Sequence, residues 1–85
     1  MRTLKIRFVE HCEGVAQSPK FYTIQVKEWY GWKTLSYVID MGYGSIVDYY
    51  SKETKSELLE TILDKVYRTT KKHIWIVEYP SIRKY

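Results

Sequence analysis

Apolar and polar residues alternate at the start of the chain. Over Thr3–Val9 the apolar Leu4, Ile6 and Phe8 occupy every second position, and the two positions between them are basic. Successive side chains of a strand point to opposite sides of a sheet, so this spacing predicts a half-buried first strand with a basic outer side. Residues 10–20 show no such period and predict a loop.

The stretch Phe21–Asp40, FYTIQVKEWYGWKTLSYVID, predicts a β-hairpin. β-branched and aromatic residues fill both halves, and Gly31 lies near the middle, where a chain reversal needs a residue that tolerates positive φ. With Tyr30 and Gly31 as a two-residue turn, a single register separates an apolar side from a polar side that is bracketed by two tryptophans. The apolar side then pairs Glu28 with Lys33, Val26 with Leu35, Ile24 with Tyr37 and Tyr22 with Ile39. The polar side pairs Trp29 with Trp32, Lys27 with Thr34, Gln25 with Ser36 and Thr23 with Val38. Tyr30 is a weaker first turn residue than Asn or Asp, so a longer loop with a bulge is the alternative.

The remaining segments supply one helix and one more strand. Residues 41–50 predict either a short extra strand or an ordered loop, since two glycines precede a run of apolar bulk. Thr54–Glu57 fits a capping box, and apolar residues then recur with helical spacing, so a helix should run from there to about Thr70. His73–Tyr79 is apolar on both sides and therefore predicts a last, central strand. Residues 81–85 predict a short basic tail.

These elements predict an α+β fold in a single domain, 1–85, with the order β-β-β-α-β. We expect a two-layer sandwich in which one helix covers one face of a four-stranded, mostly antiparallel sheet. A right-handed crossover through the helix should return the last strand to a place beside the second strand and antiparallel to it, with the first strand at the far side.

One helix shields one face of such a sheet, so the other face should be uncovered. That face is expected to carry all three tryptophans. Burying a large aromatic side chain contributes roughly 1.5 to 3 kcal/mol, and a monomer rarely exposes such a patch without use. The residues predicted to bind a partner there are Trp29, Trp32, Trp75, Val77, Lys27, Gln25, Thr34 and Arg7.

Three interpretations of this uncovered face are open at the level of sequence. In the first, a protein partner, either a second copy or a foreign target, takes the tryptophans as buried anchors. In the second, single-stranded nucleic acid stacks its bases on the tryptophans while basic residues neutralise phosphate. In the third, loops 10–20 and 41–50 fold over the face and bury it. The first is the preferred prediction, a small non-enzymatic binding protein, and the second is its alternative.

Composition narrows these functions further. A net charge of +4 suits nucleic acid or an acidic protein without requiring either. Cys12 is the one cysteine, so no intrachain disulfide forms and a reducing cytoplasm suits the chain. The alternating N-terminus excludes a secretory signal, and no window approaches the length of a membrane span, so no membrane partner is predicted.

Motifs for catalysis are missing from the sequence. Gly42-x-Gly44 lacks the third glycine and the strand-to-helix context of a phosphate cradle. His11, Cys12 and Glu13 are adjacent in a predicted loop, where neighbouring side chains do not normally aim at one point. The sequence therefore predicts no catalytic residue, no metal ligand and no cofactor.

The segment YTIQVKEWYGWKTLSY, followed by a capped helix and a strand that ends in IVEY, resembles small orphan proteins encoded by bacteriophages and their hosts. The resemblance covers most of the chain and transfers no catalytic residue. It implies an accessory role in the host cytoplasm, such as binding and modulating a host factor or a defence protein.

Overall fold

The structure is a computed structural model that describes residues 2–14 and 18–85. Within these residues the chain forms one α-helix, α1 (Lys55–Lys65), and a short 3₁₀ helix (Lys71–His73). Part of the predicted loop over 10–20, residues 15–17, lies outside the described residues. The strands are β1 (Arg2–His11), β2 (Phe21–Glu28), β3 (Gly31–Thr34), β4 (Ser36–Asp40), β5 (Ser45–Tyr49), β6 (Ser51–Lys52), β7 (Ile74–Glu78) and β8 (Ile82–Lys84).

The main sheet contains six strands in the order β3–β2–β1–β7, with β6 beside β2 and β8 beside β1. β3 and β6 follow one another along one edge of β2, and β7 and β8 do so along one edge of β1. β1 pairs antiparallel with β2 but parallel with β7 and β8. The predicted α+β class with one helix is confirmed. The predicted four-stranded sheet is wrong in strand number, and the sheet is mixed.

The predicted strand order is also wrong. β1 is central, because it pairs on one side with β2 and on the other with β7. β7 was expected to be central and antiparallel to the second strand, but it is parallel to β1 at the edge of the sheet. β7 has apolar side chains on both sides, but only one side is buried: Ile74 is buried on the helix side, whereas Trp75 is exposed on the other. An apolar residue on a strand is therefore not by itself a sign of burial.

The hairpin forms, but its turn and register differ from the prediction. Glu28 pairs with Gly31, so Trp29 and Tyr30 are the turn residues and the predicted pairing of Trp29 with Trp32 is wrong. Gly31 follows the turn with a φ of 132°, a backbone conformation that residues with a Cβ avoid. Because the shift is by two residues, the side chains that remain in β2 and β3 stay on their predicted sides of the sheet. The observed pairs are Gln25 with Thr34, Val26 with Lys33 and Lys27 with Trp32.

The second half of the predicted hairpin leaves the main sheet. After β3, the Leu35 amide donates to the carbonyl of Ile24, and the chain then departs to form β4. β4 pairs antiparallel with β5 in a separate two-stranded sheet, and Val38 lies opposite Val47. We call this ribbon, residues 36–49, the β-arm. Residues 41–50 were predicted to form either a short strand or an ordered loop, and they contribute a turn and one strand of the β-arm.

The helix begins as predicted and ends early. The Thr54 hydroxyl accepts a hydrogen bond from the Glu57 amide at 3.3 Å, which confirms the predicted N-cap. The helix was expected to reach about Thr70 but ends at Lys65, and the chain turns through a positive φ of 50° at Arg68. Neither helix of the described residues is long and apolar enough to cross a membrane.

The core lies between α1 and one face of the main sheet. Leu58 and Ile62 of the helix are fully buried against the apolar side chains of β1 and β2. Tyr37, which was expected in this core, lies on the β-arm and is exposed. The buried cluster comprises Leu4, Ile6, Phe8, Ile24, Val26, Leu35, Leu58, Leu59, Ile62, Leu63 and Ile74.

Candidate binding face

The side of the main sheet that faces away from α1 is the candidate site, and we call it the open face. Paired residues of neighbouring strands share a side, so the registers decide which side chains belong to it. The open face carries Thr3, Lys5, Arg7, Val9 and His11 of β1, Phe21, Thr23, Gln25 and Lys27 of β2, Trp32 and Thr34 of β3, Trp75 and Val77 of β7, and Ile82 and Lys84 of β8.

A hydrogen-bonded chain crosses three strands of the open face. Arg7 Nε donates to Gln25 Oε1 at 2.6 Å, and Gln25 Nε2 donates to Thr34 Oγ1 at 3.1 Å. The Arg7 guanidinium also lies 4.4 Å from the centre of the Trp32 ring, within the range of a cation–π contact. Four predicted site residues from β1, β2 and β3 therefore form one connected group.

Two further side chains complete the surroundings of Trp32. Lys27 Nζ lies 5.5 Å from the centre of the Trp32 ring. Tyr79, directly after β7, meets the same ring edge to face, with ring centres 5.2 Å apart. These contacts hold the indole in one orientation on β3. Tyr79 was not among the predicted site residues, although its period-two spacing from Trp75 and Val77 placed it on the same side.

Trp75 and Val77 lie on the opposite edge of the open face. Trp75 is 63% exposed, whereas Val77 is half-buried. The backbones of β3 and β7 are about 14 Å apart at the usual strand spacing, because β2 and β1 lie between them, but the Trp32 ring reaches across this space to contact Arg7 and Tyr79. Lys27 pairs with Trp32 across β2 and β3, and Lys5 lines the same groove as Lys27. The face thus places two lysines close to its indoles.

Trp29 was predicted to lie on the open face, but it is a turn residue and lies outside that face. It is 94% exposed and packs edge to face against Tyr30. It lines a groove of about 530 Å³ at the end of the sheet, together with Lys5 and Lys27 of the open face and Tyr67 from the helix side. Trp29 therefore borders the open face without belonging to it.

The charges on the open face have one sign. Among its described strand positions, every residue with a formal charge is cationic: Lys5, Arg7, Lys27 and Lys84. The acidic residues of the same strands project toward the helix side, where Glu10 contacts Lys55 and Arg83. Basic side chains without interspersed carboxylates create a positive potential that attracts anionic groups.

A shallow pocket of about 360 Å³ lies at the β8 end of the open face. Val9 and Thr23 are buried there, and His11 Nε2 and Thr23 Oγ1 lie 2.8 Å apart. Partial burial, followed by the nearby Lys84 ammonium, lowers the pKa of His11. Tyr49 of the β-arm lines the same pocket, so the arm borders the open face at this end. β8 was not predicted, so the contribution of Lys84 could not be read from the sequence.

The described residues cover one end of this face and leave the other open: Val9 and Thr23 are buried at the β8 end, where Tyr49 lines the pocket, but burial of the whole face by loops is not supported. Residues 41–50 belong mainly to the β-arm, whose side chains are themselves exposed, and Trp75 is open to solvent. Of the loop over 10–20, Cys12 is buried while Glu13 and Gly14 are exposed.

His11, Cys12 and Glu13 do not converge on a common point. His11 contacts Thr23 and stacks on Phe21 with ring centres 4.4 Å apart. The backbone amide of Cys12 donates to the carbonyl of Lys84 at 2.9 Å, whereas Glu13 forms an exposed ion pair with Lys20 that lowers its pKa. Over residues 2–14 and 18–85, no three histidine, cysteine, aspartate or glutamate side chains are grouped to hold a metal ion.

Comparison with protein-family models, with curated proteins and with solved structures finds no match to this chain.

Proposed function

We propose that this chain is a small binding protein whose open face takes single-stranded nucleic acid. The observation that carries the proposal is that all the formally charged strand residues of this face are cationic and share it with Trp32 and Trp75. Single-strand binding without sequence preference combines these two parts, a positively charged track for the backbone and aromatic rings on which bases stack.

Each part of the face has a separate role in this proposal. Trp75 offers an accessible ring for one base, and Trp32 offers a ring held in place by Arg7 and Tyr79. The Arg7 side chain uses Nε to hold Gln25, which leaves its two Nη groups for the paired oxygens of a phosphate. Lys27, which pairs with Trp32, and Lys5, which lines the same groove, are positioned to neutralise the phosphates beside stacked bases.

A protein partner is the second candidate, and the β-arm is the observation that favours it. The arm exposes apolar side chains on a ribbon that projects from the body, which a nucleic-acid interface alone does not explain. The accessory role in a host cytoplasm that the phage-type resemblance implies stays a prediction under either candidate.

Anisotropy of a fluorescently labelled single-stranded oligonucleotide tests the proposal directly. Replacing Trp75 with alanine should weaken binding by about 5- to 150-fold, since one base stacked on an aromatic side chain contributes about 1 to 3 kcal/mol. Tyr43→Ala is the matched control, because Tyr43 is an aromatic residue that is 89% exposed at the tip of the β-arm, away from the open face.

Two results would overturn the proposal. One is a wild-type protein that leaves the anisotropy of the oligonucleotide unchanged at low salt. The other is equal loss of affinity in Trp75→Ala and Tyr43→Ala, because binding would then depend on exposed aromatic area and not on the open face. Circular dichroism of both variants checks that each keeps the wild-type fold.

A further inference from the structure

The β-arm leaves both of its sides open to solvent. All five residues of β5 are exposed, and Val38 and Val47, which lie opposite each other, are 65% and 63% exposed. A two-stranded ribbon is marginally stable in water by itself and gains stability when one side is covered. The arm therefore has the properties of an element that completes its packing in an assembly.

The two sides of the arm can be assigned from its register. The pairs Ser36–Tyr49 and Val38–Val47 are two residues apart along the ribbon, so Tyr49 shares a side with Val38 and Val47. Tyr49, at the base of the arm, lines the pocket at the end of the open face and also a cavity of about 340 Å³ beside Thr61 and Lys65 of α1, so the base of the arm borders both the open face and the helix. The other side carries Ile46, and also Tyr37, whose ring contacts Tyr50 beside the core.

The free edges of the arm lack the usual protection against pairing. Natural edge strands carry lysine, proline or bulges that prevent association with other chains. Residues 36–49 contain no lysine, arginine or proline, and their only charges are Asp40 and Asp48. Association through this segment is thus unopposed by its sequence.

The charge of the arm is opposite to that of the body. Residues 36–49 carry −2, and the rest of the chain carries +6, which gives the net charge of +4. The open face contributes four cations and no anion among its described strand positions. Of the two arm carboxylates, Asp40 lies on the Val38–Val47 side and Asp48 on the opposite side, so the Val38–Val47 side is an acidic, apolar surface that complements the cationic open face.

We propose that the β-arm of one copy covers the open face of a second copy, and that the second copy's arm does the same in return. A contact in which each arm covers the other copy's open face is the same in both directions, so two copies related by a two-fold axis make both contacts at once. Val38, Val47 and Tyr49 then become buried against Trp75 and the stems of the basic residues. This inference does not depend on nucleic-acid binding.

Two neighbouring substitutions in β5 separate this arrangement from non-specific association. Val47→Lys places a cation on the side that meets the basic open face, and Ile46→Lys places the same cation on the opposite side of the same strand. Multi-angle light scattering after size exclusion should give wild-type protein and Ile46→Lys twice the 10.3 kDa chain mass, and Val47→Lys the mass of one chain. Added salt should shift the wild type toward one chain, since screening weakens the attraction between arm and face.

A second pair of variants tests the receiving face. Lys27→Glu reverses a charge on the open face, whereas Lys33→Glu makes the same change on the helix side of the adjacent strand. Lys27→Glu should dissociate the dimer and Lys33→Glu should preserve it. This pair keeps the inference testable if Val47→Lys fails to fold, which circular dichroism reports.

The inference is overturned if the wild type has the mass of one chain at its highest soluble concentration. It is also overturned if Val47→Lys and Ile46→Lys behave alike, because the side of the arm would then be irrelevant. No oligonucleotide is present in these measurements, so a negative result rejects the dimer without bearing on whether the protein binds nucleic acid.

Discussion

The salt dependence of nucleic-acid binding follows from the number of cations on the open face. Each phosphate that a protein neutralises on a single strand releases counterions, which makes the slope of the log binding constant against log salt more negative by about 0.7. With Lys5, Arg7, Lys27 and Lys84 each neutralising one phosphate, the slope should be about −3. Between about 50 mM and about 200 mM salt the affinity should then fall about 50-fold.

Removing one cation should change this slope by a fixed amount. Lys27→Gln is expected to raise it by about 0.7, so that the same salt increase costs only about 20-fold in affinity. Lys33→Gln is the matched control, because Lys33 is an exposed lysine on the adjacent strand that projects to the helix side. Anisotropy titrations at four salt concentrations give the slope for each protein.

A slope near zero for the wild type would refute the assignment of phosphate contacts to the open face. So would an equal change of slope in Lys27→Gln and Lys33→Gln, because the protein would then respond to its total charge and not to the side of the sheet. A salt dependence that becomes less steep only for Lys27→Gln supports the geometry.

Two further predictions concern stability. Gly31→Ala should lower the free energy of unfolding, measured by urea titration, by about 1 to 3 kcal/mol, because φ at Gly31 is 132°. The penalty is conformational and not steric, since no atom lies within 4 Å of an added Cβ. Gly44→Ala, equally free of contacts but without a positive φ, should cost far less, and equal costs would contradict this reason. Lowering the pH from about 7.5 to about 5.5 should reduce the melting temperature, because the pKa of His11 is lowered from 6.5 and the unfolded chain binds the additional proton. His11→Gln should make the melting temperature less dependent on pH over this window, and an unchanged dependence would show that His11 is not responsible.

The sides of the strands could be predicted from the sequence because they depend on local alternation. Leu4, Ile6 and Phe8 all face the helix as expected, and Arg7 and Gln25 face away from it. A register error of two residues in the hairpin left these assignments intact, because the side-chain period of a strand is two. Much of the candidate site was therefore recognisable from residue spacing.

The partners of the strands could not be predicted in the same way. Strand order depends on long-range pairing, and the sequence does not show that β1 is long enough to pair with β7 and then with β8. Residues 81–85 were predicted to form a tail, but the chain resumes pairing with β1 at Ile82. A three-residue strand is too short for periodicity to identify it.

The β-arm was missed because its sequence has the composition of a buried hairpin. Tyr37, Val38 and Ile39 have high β-propensity, which describes fit to a pleated sheet and not the identity of the partner strand. The β-arm takes these residues away from β2, and β6 occupies the edge of β2 that they would have covered.

The two proposals meet on one surface, and this places a condition on both. If the β-arm of a second copy covers Trp75 and Lys27, a nucleic-acid strand cannot reach the same side chains until the arm is displaced. Linkage then requires each ligand to weaken the other by the same factor, so protein concentration opposes strand binding and strand concentration opposes dimerisation. An acidic arm is a chemically reasonable competitor for a polyanion, because both are attracted to the same positive potential. The charge of residues 36–49 and the charge of the open face thus gain a common explanation, which neither proposal supplies alone.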